Sequence, residues 1–157
     1  MKTIAASFLL FITMAACTST MDEDTKKESK KPISGTWKLI KGTLIEKGDT
    51  VVTYYDKNIS FIKIINDTHF SFLQHDIGKG KGADSIFVAG GGKYTLKDST
   101  YTEFLEYCSA REWEGNEFHF TIRFNGDTLT QMGVESIPGL NVDRVNIEKY
   151  VREVAKK

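Results

Sequence analysis

Residues 118–124 read FHFTIRF, in which apolar and polar side chains alternate without interruption. Successive side chains of a β-strand point to opposite faces, so this pattern predicts a strand with one buried and one solvated face. Residues 125–127 follow as Asn-Gly-Asp, which carries the strongest short-range signal for a hairpin turn. Residues 128–131 are therefore predicted to return as the antiparallel partner strand.

Strand patterns of the same kind extend outward from this hairpin in both directions. About eight short strands at turn spacing favour closure into a barrel, because closure removes the exposed edges of a sheet. We therefore predict an all-β fold, a single antiparallel up-and-down β-barrel spanning residues 33–157. The further predicted strands are residues 35–46, 51–55, 59–65, 69–74, 93–96 and 100–108, with turns at 47–49, 66–67 and 97–99.

The carboxyl-terminal segment is ambiguous at this level. Ile147, Tyr150, Val151 and Val154 have helical spacing behind a possible cap at Asp143. The same segment also fits a strand, with residues 145, 147 and 151 on one face and residues 148, 150 and 152 on the other. Local pattern alone leaves both readings open.

The overall composition indicates one globular domain without a charge bias. The chain has 157 residues, which suits a single core, and Lys plus Arg equals Asp plus Glu at 21 each. Without a positive field to attract phosphates, nucleic acid is not an expected partner. Ten Phe and six Tyr suit strands better than disorder.

The amino terminus has the organisation of an export signal. Lys2 precedes an apolar run over residues 4–16, which is shorter than the roughly 20 residues a transmembrane helix needs. The run ends as MAAC, and this ending resembles a bacterial lipobox, with Met14 where Leu is usual. We expect a signal peptide over residues 1–16 and lipid attachment at Cys17. The lipid would anchor the protein in the cell envelope, on the outer membrane, where it faces either the periplasm or the cell surface. Ordinary secretion with an incidental Cys17 is the alternative.

Residues 17–32 are predicted to form a flexible tether, because their polar, mixed-charge composition offers too little apolar surface to fold. Acylation of Cys17 would leave Cys108 without an intramolecular partner, so no disulfide is expected. We interpret Cys108 as a structural thiol, since the neighbouring sequence supplies an acid and no base to activate it.

Residues 34–39, SGTWKL, contain a Gly-x-Trp motif in Gly35 and Trp37. This motif resembles the first strand of the lipocalin and calycin families, in which the Trp closes the base of the barrel. Three further segments are similar, in order and spacing, to small lipocalin-like lipoproteins of the Bacteroidetes: residues 90–96 (GGGKYTL), 101–107 (YTEFLEY) and 126–131 (GDTLTQ).

The resemblance also bears on the carboxyl terminus. The last strand of such proteins often reads Glu-x-Trp-x-Arg, and residues 148–152 read EKYVR, with Tyr in place of Trp. The resemblance therefore favours the strand, and it implies that Arg152 lies across the ring of Trp37 at the base of the barrel, a cation-π contact.

A ligand pocket inside the barrel is the main functional prediction. A small-molecule site needs apolar walls with a few placed polar groups, and a carboxylate among tyrosines would orient a polar head. One alternative places Glu103 in solvent with Thr102, Phe104 and Cys108 inside, and another fills the interior completely with side chains. The candidate ligand-binding residues are Tyr94, Tyr101, Glu103, Tyr107, Phe118, Phe120 and Phe124.

Other chemistries find little support. The histidines at 69, 75 and 119 lack a compact ligand spacing, the Gly/Lys runs do not fit a phosphate-binding loop, and no nucleophile elbow is present. We expect no metal, no cofactor and no enzymatic activity. Two hypotheses lead: a barrel that binds a small hydrophobic or amphipathic ligand, and a non-enzymatic module with a packed interior that docks an envelope partner. A lipocalin-like isomerase or hydrolase ranks below both.

Overall fold

The computed structural model describes residues 33–83 and 85–154, and within them the chain is almost entirely β-structure. The two short 3₁₀ turns are Arg111–Trp113 and Pro138–Leu140, and no helix in these residues is long and apolar enough to cross a membrane. The nine strands are β1 (Gly35–Glu46), β2 (Asp49–Tyr54), β3 (Ile59–Ile65), β4 (His69–Asp76), β5 (Phe87–Lys97), β6 (Thr100–Cys108), β7 (Glu117–Asn125), β8 (Thr128–Ile137) and β9 (Val142–Arg152).

Eight of these strands close into an antiparallel barrel, and β2 is an additional strand. Each strand from β3 to β9 pairs with the next, and β9 pairs with β1. On its other side β1 pairs with β3 over Gly35 to Lys38 and with β2 over Lys41 to Glu46. The predicted all-β barrel is therefore confirmed, and its architecture is compatible with a lipocalin-like fold.

Two irregularities in register change which side chains face inward. In β1 the pairing with β9 shifts between Leu39 and Lys41, which leaves Ile40 as an extra residue. In β6 the pairing with β5 shifts at Gly91 and Gly92, which leaves Glu106 as the extra residue. A bulged residue breaks the alternation of a strand. If odd-numbered residues face inward before the bulge, even-numbered residues face inward after it.

The base of the barrel is a sealed apolar layer around Trp37. The Trp37 side chain is fully buried, and its indole N–H donates to the Ile33 carbonyl at 2.8 Å. Arg152 lies across the ring, with the guanidinium carbon 4.1 Å from the ring centroid, and Nη1 donates to the Ser34 carbonyl at 2.9 Å. The carboxyl-terminal segment is thus a strand, and the implied contact between Arg152 and Trp37 is present.

Gly35 is required at this base for a steric reason. Its φ of 144° is a conformation that residues with side chains rarely adopt, and an added Cβ would lie 2.5 Å from Arg152 Nη1. The Gly-x-Trp motif therefore leaves space for the arginine that covers the tryptophan.

The predictions made for residues 1–32, which include the signal peptide, lipid attachment at Cys17 and the tether, lie outside the described residues.

Candidate functional site

The barrel encloses a cavity of about 290 Å³ that opens at the end opposite Trp37. We call the Trp37 end the base and the opposite end the mouth. This volume is near the lower limit of small-molecule pockets, which are typically about 300–1,000 Å³. The wall is mainly aromatic and aliphatic, including Tyr55, Phe61, Phe72, Val88, Leu105, Trp113 and Phe120, and the polar side chains at the cavity include Lys63, Glu103, Gln131, Glu135, Arg144, Asn146 and Glu148.

Four polar side chains form the floor of the cavity, which we define as Lys63, Glu103, Gln131 and Glu148. Each is two positions along its strand from a residue of the buried base, and side chains two positions apart share a face of a strand. The corresponding base residues are Ile65, Tyr101, Leu129 and Tyr150, all of which are nearly or completely inaccessible to solvent. The polar floor therefore lies directly above the sealed apolar base.

Lys63 is at the centre of the floor. Its side chain is only 3% exposed, and Nζ donates to Glu103 Oε1 at 2.7 Å and to Gln131 Oε1 at 3.1 Å. Glu148 Oε2 is a second carboxylate neighbour, at 3.8 Å from Nζ. A buried ammonium requires such partners, because burial without them would cost several kcal/mol.

Aromatic rings also surround the ammonium of Lys63. Nζ lies 5.4 Å from the ring centroid of Tyr150, 5.8 Å from that of Phe70 and 6.0 Å from that of Tyr101. Burial by itself lowers the pKa of Lys63, but the carboxylates of Glu103 and Glu148 prevail and hold this pKa above its ordinary value. The lysine is therefore a fixed positive charge at neutral pH.

The two floor carboxylates differ in their surroundings. Burial raises the pKa of Glu103 against the opposing effect of Lys63. Glu148 keeps 14% of its side chain exposed, and its Oε2 accepts a hydrogen bond from the Tyr150 hydroxyl at 2.8 Å. Among the described residues, none donates a hydrogen bond to Glu148 Oε1. This oxygen is therefore available to a guest in the cavity.

The same carboxylates affect the pKa values of the two buried tyrosines of this region, Tyr101 and Tyr150. The Tyr101 hydroxyl is buried and has no hydrogen-bond partner of acceptable geometry among the described residues. Burial and the nearby carboxylate of Glu103 raise the pKa of Tyr101 far above its ordinary range. The pKa of Tyr150 is raised by burial and by Glu148, so both phenols stay neutral.

A second charged pair lies toward the mouth, beside Trp113. Arg144 donates through Nε and Nη2 to Glu135 Oε2, each at 2.7 Å, and the guanidinium carbon lies 5.4 Å from the Trp113 ring centroid. The other oxygen of Glu135 accepts a hydrogen bond from Asn146 Nδ2 at 2.7 Å. Here one cation is matched by one anion.

The seven candidate ligand-binding residues occupy three different environments. Glu103 and Phe120 line the cavity. Tyr94, Tyr101 and Phe118 are buried in the surrounding core, where Tyr94 donates its hydroxyl hydrogen bond to the Asn66 carbonyl at 2.7 Å. Tyr107 and Phe124 are 67% and 41% exposed and do not line the cavity.

The outward position of Tyr107 is a consequence of the bulge in β6. The candidate residues Tyr101, Glu103 and Tyr107 have the same parity along β6, but the extra residue Glu106 turns Tyr107 outward. The same bulge brings Cys108 to the cavity wall, although Glu103 also faces inward. Phe124 keeps the parity of its strand, but it lies at the base, where its ring centroid is 6.0 Å from that of Trp37.

The sequence analysis did not predict most of the polar side chains that line the cavity. A parity argument would have found Lys63, because it shares one face of its strand with Ile59, Phe61 and Ile65, which are all apolar. The same argument applies to Gln131 beside Leu129 and to Glu148 beside Tyr150. No comparable signal identifies Trp113, which reaches the cavity from a 3₁₀ turn.

The histidines are outside this site. His69, His75 and His119 bond to neighbouring residues on the exterior, namely Thr68 Oγ1, the Asp76 carbonyl and Thr102 Oγ1. In residues 33–83 and 85–154, no group of three or more His, Cys, Asp or Glu side chains is arranged to hold a metal ion.

Comparisons with protein-family models, with curated proteins and with solved structures give no match for this chain.

Proposed function

We propose that this protein is a lipid-anchored cell-envelope protein whose barrel binds a small amphipathic molecule in its interior. The observation that carries this proposal is the cavity of about 290 Å³ with an aromatic wall and a polar floor. A solid barrel interior would leave no space for a guest. A floor of polar side chains beneath aromatic and aliphatic walls fixes the position of a ligand's polar group.

Trp113 offers a direct readout of binding. The chain contains two tryptophans; Trp113 lines the cavity, whereas Trp37 is sealed in the base. We expect 4-phenylbutan-1-ol, a neutral amphipathic probe, to change the Trp113 fluorescence in a saturable manner. Trp113→Phe should remove the signal, and calorimetry should still detect binding to that variant.

A pair of valine substitutions tests whether the guest occupies the barrel interior. Val88 lines the cavity, whereas Val52 is 43% exposed and does not line it. Val88→Phe should weaken probe binding by at least about tenfold, because the added ring fills part of the cavity. Val52→Phe, with the same change in volume, should leave the affinity unchanged.

Native mass spectrometry of the protein purified from its own cells tests for a resident ligand. A mass increment lost in Val88→Phe and retained in Val52→Phe supports the proposal. A bare protein that also fails to bind the probe overturns ligand binding and leaves the docking module as the better hypothesis.

The lipid anchor is a separate part of the proposal, based on the MAAC sequence at residues 14–17. Cys17→Ser should release the protein from the membrane fraction, because the acyl chains that hold it cannot be attached. Cys108→Ser is the matched control and should stay in the membrane fraction. Retention of the Cys17→Ser variant in the membrane would show that the anchor is assigned wrongly.

A further inference from the structure

The charged side chains inside the cavity do not balance. The described residues that line it contribute three carboxylates, Glu103, Glu135 and Glu148, and two cations, Lys63 and Arg144. Arg144 and Glu135 form an ion pair toward the mouth, and Lys63 and Glu103 form the short ion pair in the floor. Glu148 is therefore the surplus acid.

The position of Glu148 makes its carboxylate accessible to a guest. Its Oε2 faces Tyr150 and Lys63, and among the described residues its Oε1 has no hydrogen-bond donor. The aromatic residues Tyr55 and Phe61 line the cavity with it, their ring centroids 5.9 Å apart. Glu148 raises the pKa of Tyr55 in addition to the effect of burial, which is consistent with their proximity.

From this arrangement we infer that the ligand is an amphipathic organic amine, whose ammonium group binds Glu148 at the floor while its apolar body lies against the aromatic wall. This inference rests on the proposed function, since it specifies the ligand of the same cavity. A bound ammonium supplies the positive charge that balances the third carboxylate of the cavity. Aromatic faces near the floor stabilise a cation further.

The dimensions of the cavity suit a molecule of modest length. Gln131 in the floor and Glu135 near the mouth are four residues apart on β8, which corresponds to roughly 13 Å along a strand. An aryl group on a short alkyl chain has a length of this order.

A carboxylate ligand fits this cavity poorly. Lys63 already has two hydrogen-bonded acceptors and a second carboxylate nearby, and Arg144 is matched by Glu135. A bound anion would add a fourth negative charge to a cavity that already has three carboxylates and only two cations. Like charges repel more strongly in such an enclosed site than in bulk water.

Three probes of the same skeleton separate the possible ligand classes: 4-phenylbutylamine, 4-phenylbutan-1-ol and 4-phenylbutyrate. We expect the amine to bind most tightly, at least about tenfold better than the alcohol, and the carboxylate to bind least well, because a hydrogen bond to a charged group is the stronger kind. Calorimetry at pH 7 measures all three affinities.

Glu148→Gln tests the assigned carboxylate with little change in shape, because a glutamine oxygen still accepts from Tyr150. This variant should lose at least about tenfold in affinity for the amine and clearly less in affinity for the alcohol, because the alcohol carries no charge. Glu106→Gln removes the same charge from an exposed side chain that pairs with Lys93 outside the cavity, so its affinity for the amine should be unchanged.

The outcomes distinguish this inference from the proposed function. If the alcohol or the carboxylate binds as tightly as the amine, or if Glu148→Gln leaves amine affinity unchanged, the amine assignment is overturned and ligand binding stands. If none of the three probes binds and native mass spectrometry shows a bare protein, both are overturned.

Discussion

Arg152 and Trp37, at opposite ends of the described chain, form one contact: the guanidinium carbon lies 4.1 Å from the centroid of the indole ring. The two residues are also directly opposite each other in the pairing of β1 with β9. This contact therefore joins the first and last strands at the point where the barrel closes, and it covers the buried ring of Trp37.

Arg152→Ala should lower the free energy of unfolding by about 2–3 kcal/mol. It removes a cation-π contact worth about 0.5–2 kcal/mol and a charged hydrogen bond to the Ser34 carbonyl, while the buried ring loses its cover. Chemical denaturation measures the change. Arg123→Ala is the control, because Arg123 is exposed on β7, and it should change stability by less than about 0.5 kcal/mol. Equal losses in both variants would show that the contact contributes nothing specific.

Lys63→Met should be more damaging, at about 3–5 kcal/mol, because it leaves Glu103 buried without its counter-charge. Adding Glu103→Leu should restore a large part of that loss, since a buried pair replaced by apolar side chains is often tolerated. The double mutant therefore should be more stable than Lys63→Met alone, a non-additive result that thermal and denaturant unfolding detect.

Lys93→Met provides the matched control for the buried lysine. Lys93 is 65% exposed and lies 3.6 Å from Glu106, so its removal should cost less than about 1 kcal/mol. A similar cost at both lysines would contradict the buried position of Lys63.

Gly92→Ala should destabilise the barrel by at least about 3 kcal/mol, because a Cβ at this position would lie 1.9 Å from the Phe104 carbonyl oxygen. That oxygen belongs to the backbone of β6 beside the bulge, so the strand itself must move. Gly139→Ala meets no atom within 4 Å and should be tolerated. Circular dichroism and denaturation compare the two variants, and a fully stable Gly92→Ala would show that the strands are not so close.

Acid titration should reveal the role of Asp76 in the loop that follows β4. Its carboxylate accepts hydrogen bonds from the backbone N–H groups of Gly80 and Ile86, which lower the pKa of Asp76 below its ordinary 3.8. Since the pKa is lower in the folded state, the stabilising contribution is complete above the unfolded value and is lost as pH falls through the lowered one.

The measurement is an NMR titration of the Asp76 carboxyl, combined with hydrogen exchange at the Gly80 and Ile86 amides. Both amides should lose protection as Asp76 becomes protonated, and Asp76→Asn should weaken their protection at neutral pH. A carboxyl that titrates at or above 3.8 would contradict the hydrogen-bonded loop.

Much of the fold follows from local pattern. The strict alternation in residues 118–124 and the Asn-Gly-Asp turn after it correspond to β7 and the start of β8, and the predicted strand of residues 59–65 is β3. These features are local because side-chain direction repeats every two residues and a tight turn needs only its own few residues. The contact between Arg152 and Trp37 was implied by the resemblance to lipocalins, not by spacing.

Local sequence pattern did not predict in the same way which side chains line the cavity. Parity within β6 left open whether Glu103 or Cys108 faces inward, and the bulge at Glu106 allows both to do so. A bulge depends on the partner strand as much as on the bulged one, so the sequence of one strand does not reveal it.

The sequence by itself therefore determined that this chain forms alternating strands joined by turns, because both are properties of a few consecutive residues. Only the tertiary structure decided that Lys63, Glu103 and Glu148 meet on one floor, since they belong to three strands that barrel closure brings together. The tertiary structure also decided the size of the cavity, because a void depends on how side chains from all eight barrel strands fill a common interior.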